Sequence, residues 1–220
     1  MGFSNSRKYS CELLGTLFLS LAVLGSGIMA TNLSSDEGLA LFANAIVTGL
    51  TLYFLISLLA PLSGAHLNPI VTISFWLKGD ISKKNGSFYI IFQIAGAFLG
   101  CLIANIIYDL PLISMSTTER SGVQIVFAEG LSSFGLILVI MLASSYSSKK
   151  IPLLVGCYIS AAIMFSSSNS FANPALTIAR QFSDTFCGIS INSVGPYILV
   201  QLIAAFLAYI LYRWLDAGRV

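Results

Sequence analysis

Six stretches of this chain are too long and too apolar to sit anywhere but in a membrane. They cover about 13–30, 39–59, 88–108, 123–143, 151–168 and 194–212, and crossing a hydrocarbon core of about 30 Å takes roughly 20 helical residues. Lipid offers no hydrogen-bond partners to the backbone, so each stretch must satisfy its own and is predicted to be a helix. Composition agrees: 9% of the 220 residues are charged, against about 25% in soluble domains. A net charge of +2 with no clustered basic face argues against a nucleic-acid partner. Four scattered cysteines (Cys11, Cys101, Cys157, Cys187) and one histidine, His66, make neither a disulfide framework nor a metal cluster, so no cofactor or metal is expected. The first stretch follows Arg7 and Lys8 but is longer than a usual signal core, and it reads as a retained span.

Two shorter apolar pieces, 69–77 and 174–182, lie between the spans. At about 1.5 Å per residue each reaches about half the membrane core, a length that fits an interfacial helix equally well. The basic residues give the sidedness. Arg7, Lys8, Lys78, Lys83, Lys84, Lys149, Lys150, Arg213 and Arg219 fall on one side of a six-span chain, and Arg120 and Arg180 fall on the other. The positive-inside rule then makes both termini cytoplasmic, in a multi-pass protein of the inner (plasma) membrane. The two short pieces enter from opposite faces.

The halves repeat. Ser63-Gly-Ala-His-Leu-Asn68-Pro69-Ile-Val-Thr72 matches Ser168-Asn-Ser-Phe-Ala-Asn173-Pro174-Ala-Leu-Thr177 at Ser, Asn, Pro and Thr, offset by 105. The run from Gln93 to Gly100 matches the run from Gln201 to Ala208, offset by 108, and Glu12 matches Glu129, offset by 117. Three pairs in the same order outweigh the chance similarity of apolar segments. Each half has three spans, so the second lies inverted relative to the first, a plan in which broken helices bring their ends to the midplane. The expected fold is all-α and transmembrane. Six spanning helices and two re-entrant half-helices make one domain over 1–220, with repeats over about 10–108 and 123–212.

Asn is a favoured N-cap and Pro a favoured first helical residue, so Asn68-Pro69 and Asn173-Pro174 each read as the start of a half-helix. As caps, the two side-chain oxygens accept from their own helices and leave the NH₂ groups free to point away as donors. Two helix N-termini meeting head to head add about half a positive charge each. A hydroxyl oxygen can accept from both amides, whereas a cation is repelled. The residues ahead of each box, Gly64, Ala65 and His66 and then Asn169, Ser170 and Phe171, cannot bond internally if extended, so their carbonyls are predicted to line a wet cavity. Glu12 and Glu129 are costly inside spans and are assigned to holding the N–H groups of these loops. Snorkelling to the interface is the competing reading for Glu12.

With boxes, glutamates and repeat together, the chain resembles the aquaporin/major intrinsic protein family over about residues 10–212. The resemblance implies a passive channel for small uncharged solutes, working as a homotetramer with one pore per subunit. It departs at Ile70, where the family has an alanine beside the asparagines, a change expected to narrow or stiffen the centre slightly. Counting from the boxes, the resemblance places a selectivity filter at Thr48, Ala161, Ser170 and Leu176. The family usually has an aromatic residue at the first of these and arginine at the last. Small uncharged side chains there imply a wide filter, with cation exclusion left mainly to the midplane dipoles.

Arg180, one turn beyond Leu176, can line the outer vestibule or pair at the surface with Asp184 four residues on. The run 173–186 is similar to a bacterial aquaglyceroporin-like branch associated with arsenic-resistance genes, which implies glycerol-like polyols, metalloid hydroxides such as arsenous acid, and water as solutes. The main alternative is an ion-coupled secondary transporter, which shares inverted repeats but needs midplane carboxylates or a carbonyl cation site. No nucleophile motif or metal cluster points to an enzyme.

Overall fold

The computed structural model describes residues 3–217; Arg219, counted above among the basic residues, lies outside them. Eight α-helices follow in order: α1 (Asn5–Leu33), α2 (Glu37–Ser63), α3 (Pro69–Lys78), α4 (Lys83–Ile107), α5 (Val123–Tyr146), α6 (Ile151–Phe165), α7 (Pro174–Ala179) and α8 (Ile191–Asp216). A 3₁₀ turn, Ser148–Lys150, leads into α6, and another, Arg180–Phe182, prolongs α7. Six of the helices are long and apolar enough to cross a membrane. Six crossings put both termini on one side, called here the terminus side.

Local chemistry sets the ends. Asp36 caps α2 by accepting from Leu39 N, and Ser82 caps α4 by accepting from Asn85 N. Gly64 and Gly79 take left-handed conformations, φ 92° and 93°, and stop α2 and α3. The span predicted over 151–168 ends at Phe165, because the Ser166 and Ser168 hydroxyls bond each other and the chain turns left-handed at Asn169. The first span starts well before residue 13. Its added turns are held by Tyr9, which stacks on Phe88 and donates to Asn85 Oδ1.

Glycines fix the closest crossings. A Cβ on Gly96 or Gly100 would collide with the backbone carbonyls of Leu13 and Leu17, so this Gly-x-x-x-Gly pattern packs α4 on α1 within one chain. Gly49 on α2 and Gly156 on α6 face each other, and a Cβ on either would come 2.6 Å from the other's carbonyl oxygen. The two are 107 residues apart, so the α2–α6 crossing lies on the axis relating the halves. The outward sides of the spans carry large apolar residues such as Leu50, Leu58, Leu199 and Phe206, all exposed as lipid requires.

Candidate functional site

α3 and α7 enter the bundle from opposite sides and meet inside it. Each begins on an asparagine in extended backbone: Asn68 Oδ1 accepts from Ile70 N at 3.0 Å, and Asn173 Oδ1 accepts from Ala175 N at 3.0 Å. The amide nitrogens are not wholly free, contrary to the expectation from capping alone. Asn68 Nδ2 donates to Ala172 O at 2.7 Å, and Asn173 Nδ2 donates to Leu67 O at 2.9 Å. Each loop thus offers a carbonyl to the other half's asparagine, and this reciprocal pair pins the two half-helices together. An amide NH₂ has two donors, so one N–H of each asparagine remains for the cavity that both residues line.

The loops ahead of the boxes share one backbone plan. Ala65 and Leu67 have φ of 48° and 51°, and Ser170 and Ala172, 105 residues on, both have 44°; Gly64 and Asn169 are left-handed as well. Such conformations strain residues with a Cβ and persist only where the surroundings hold them. Two buried carboxylates do so. Glu12 accepts from His66 N (3.1 Å), Leu67 N (2.8 Å), Ser63 Oγ (2.7 Å) and Gln93 Nε2 (2.8 Å). Glu129 accepts from Phe171 N (3.1 Å), Ala172 N (2.6 Å) and Gln201 Nε2 (2.7 Å). Glu12 is fully buried, so it does not snorkel.

Other supporting residues escaped the sequence reading. Gln93 and Gln201 also donate to Thr72 and Thr177, and the Tyr89 and Tyr197 hydroxyls donate to Ser63 O and Ser168 O. The signal was available: both tyrosines stand four residues before the repeated glutamines, with the same offset of 108.

A cavity of about 90 Å³ runs past the joint, lined by thirteen residues from each half. Each has a counterpart: Leu19 and Val23 match Leu136 and Ile140, α2 positions 44, 48, 52 and 56 match α6 positions 151, 155, 159 and 163, and the boxes match at 105. All six residues expected to present carbonyls line it: Gly64, Ala65, His66, Asn169, Ser170 and Phe171. Thr48, Ser170 and Leu176 line it too, and the hydroxyls of Thr48 and Ser170 have no protein partner.

Ala161 does not. It lies on the exposed side of α6, while Ile159 and Ile163 face the cavity. Counting twelve back from Asn173 fails because a helix turns about 100° per residue, and the loop after Phe165 sets the register differently. Arg180 does line the cavity and makes no pair with Asp184, which instead accepts from the backbone N–H and hydroxyl of Thr117. The lining at this end therefore includes Ile163 and an arginine, larger than the four small side chains counted from the boxes. Ile70, expected to narrow or stiffen the centre, is buried in the core and does not narrow the cavity, which its neighbour Val71 faces instead. Among the described residues no carboxylate lines the space.

Two inverted half-helices tied at their asparagines, with both preceding loops lining the cavity up to the joint, define a passive membrane channel for small uncharged solutes. The chain belongs to the major intrinsic protein family, whose pattern matches residues 2–170. It is 43% identical over 213 residues to aquaglyceroporin AqpS of Rhizobium meliloti, covering 97% of this chain and 91% of that one. It is 30% identical to aquaporin TIP2-2 of Zea mays, covering 87% and 82%. The fold matches the X-ray structure of the aquaglyceroporin from Plasmodium falciparum, with a TM-score of 0.70 at 24% identity over 95% of this chain and 94% of that one. These matches point to a channel, and they do not favour the ion-coupled transporter.

Proposed function

We propose that the channel passes glycerol-like polyols, neutral metalloid hydroxides such as arsenous acid, and water, each down its own gradient. The observation that carries this is the asparagine pair: two amides, each with one N–H left over, in a cavity that no carboxylate of the described residues lines. A hydroxylated neutral solute can accept from the amides and donate to the carbonyls, replacing the water it leaves behind. The 43% identity to a protein named an aquaglyceroporin supports polyols over water alone.

Asn68 and Asn173 act as the central donors, and Glu12 and Glu129 keep the carbonyl ladders aimed inward. Thr48, Ser170 and Leu176 set selectivity toward the Arg180 end. The protein works as a homotetramer in the plasma membrane with both termini cytoplasmic, as the basic residues of the terminus side indicate.

Purified protein in liposomes tests the reading. Stopped-flow shrinkage and reswelling is expected to show fast glycerol passage, and arsenite uptake at neutral pH is expected to exceed that of empty vesicles. Permeability to both no higher than empty vesicles overturns the solute assignment. Uptake that requires a proton or sodium gradient overturns the passive mechanism.

A further inference from the structure

The two mouths of the cavity stack the same pair of positions with different side chains. At the terminus-side mouth His66 from the loop stacks on Phe75 from α3, with ring centroids 4.8 Å apart and planes 13° from parallel. The residues 105 positions later are Phe171 and Arg180. They form the same pair at the other mouth, with the Arg180 guanidinium carbon 3.3 Å from the Phe171 ring centroid. All four residues line the cavity. Arg180 thus holds the lumen position that an aromatic ring holds in the first half.

Its surroundings fix it there with the charge unneutralised. Arg180 is buried, and its Nε donates to Cys187 O. Its two terminal nitrogens have no partner among the described residues, and it forms no ion pair. A second cation stands close by. Arg120, in the connection between α4 and α5, lies with its guanidinium carbon 5.1 Å from the same ring. Arg120 donates to Gly188 O, Phe186 O and Asn169 Oδ1, the last from a residue of the pore loop itself. It is also without a carboxylate partner among the described residues. Phe171 therefore carries two guanidinium groups whose repulsion is met by ring faces and carbonyl oxygens rather than by acids.

We propose that Arg180, held on Phe171 and braced by Arg120, is this channel's cation barrier and its hydroxyl-selecting donor, one helical turn beyond Leu176. Arg180 touches the permeating solute; Arg120 is a positioning residue that fixes Asn169 and the Phe171 ring. The barrier stands in addition to the repulsion at the asparagine joint. This rests on the channel reading above, and the experiment separates the two: wild-type flux tests that reading, and cation leak in the variants tests this one.

In proteoliposomes, wild type is expected to pass glycerol with a sodium and methylammonium leak no greater than that of empty vesicles. Arg180→Gln is expected to alter the glycerol-to-urea ratio in a protein that still conducts, and to raise the cation leak about tenfold or more, as removing one unit charge a few ångströms from the path requires. Arg180→Lys keeps the charge and is expected to stay tight. Adding Leu176→Arg to Arg180→Gln is expected to restore tightness, which a purely structural role for Arg180 does not predict. Arg120→Gln is expected to give a smaller leak with an altered glycerol-to-urea ratio. Arg180→Gln vesicles as tight as wild type, with glycerol flux intact, overturn the proposal. Should that variant fail to assemble, Arg180→Lys decides: retained tightness supports the barrier, and a leak in a folded, glycerol-conducting Lys variant overturns it.

Discussion

Replacing Glu12 with glutamine removes one oxygen and one charge while keeping the shape, and the hydrogen bonds dictate the cost. Four donors converge on the carboxylate: Ser63 Oγ and His66 N on Oε1, Leu67 N and Gln93 Nε2 on Oε2. Glutamine can aim its NH₂ at the first pair, where the serine hydroxyl can turn to accept, but His66 N is then orphaned. It can aim at the second pair, where Gln93 can flip its unpartnered Oε1 inward, but Leu67 N is then orphaned. Either way one buried backbone N–H loses its partner, at about 1–3 kcal/mol, and the surviving bonds lose charge assistance at about 1 kcal/mol each. Relief of the buried charge returns part of this. The net is about 3 kcal/mol, or a fall in melting temperature of about 10 °C for a chain of this length.

The loss falls on a loop whose Ala65 and Leu67 are already strained, so the carbonyl ladder loosens before the bundle melts. Glycerol flux at 20 °C is therefore expected to drop more than the fraction of unfolded protein explains. Glu129→Gln should behave alike, since its donors are the equivalent groups. Thermal melting in detergent and stopped-flow flux are the assays. A Glu12→Gln protein melting within about 2 °C of wild type and conducting glycerol normally would falsify the assignment of that carboxylate to the loop.

Gly96→Ala pushes a methyl into the Leu13 carbonyl and is expected to destabilise the α1–α4 packing by about 1–3 kcal/mol, seen as a lower melting temperature with unchanged solute preference. Asn68→Asp sets a carboxylate oxygen against the Ala172 carbonyl in place of a donor, so lower stability and slower glycerol flux are expected from melting and stopped-flow measurements; a fully stable, fast variant argues against the reciprocal tie. Ile163→Trp is expected to block solute flux, while Ala161→Trp, on the exposed side of the same helix, leaves per-channel flux intact; the reverse result restores the residue counted from the box.

Much of the fold was legible because lipid leaves few choices. An apolar run of span length is a helix, three spans invert a repeat, and Asn-Pro marks a helix start whatever surrounds it. The boxes, the two glutamates and the carbonyl-bearing residues came directly from these rules. What escaped was rotation and reach. Whether α6 shows position 161 or 163 to the cavity depends on how the seven residues from Ser166 to Ala172 turn, and their left-handed backbone at Asn169, Ser170 and Ala172 has no compositional marker. The second use of each asparagine amide was hidden for a similar reason. Its acceptor is a backbone carbonyl of the opposite half, more than a hundred residues away in sequence. Arg120 was seen as a basic residue on the far side, but nothing in its neighbours tells that it reaches back to Asn169.

The repeat also shows where selectivity has to come from. A cavity related to itself by a two-fold axis treats a solute alike from both ends, and the Glu–Gln–Thr supports, the reciprocal asparagine tie and the left-handed loops follow that symmetry. Discrimination between the mouths can arise only where paired lining positions differ. They differ in one direction. Asn44 and Thr48 stand against Ile151 and Val155, Asn169 and Ser170 against Gly64 and Ala65, and Arg180 against Phe75. His66 against Phe171 is the one exchange that places the polar side chain at the terminus-side mouth. The far mouth thus gathers most of the polar side chains and the charge, and the terminus-side mouth is largely aliphatic and aromatic. A solute entering from the far side meets polar partners first and sheds its water there, so exchanging far-mouth residues should change which solutes pass, whereas exchanging Ile151 or Val155 should change mainly how fast they do.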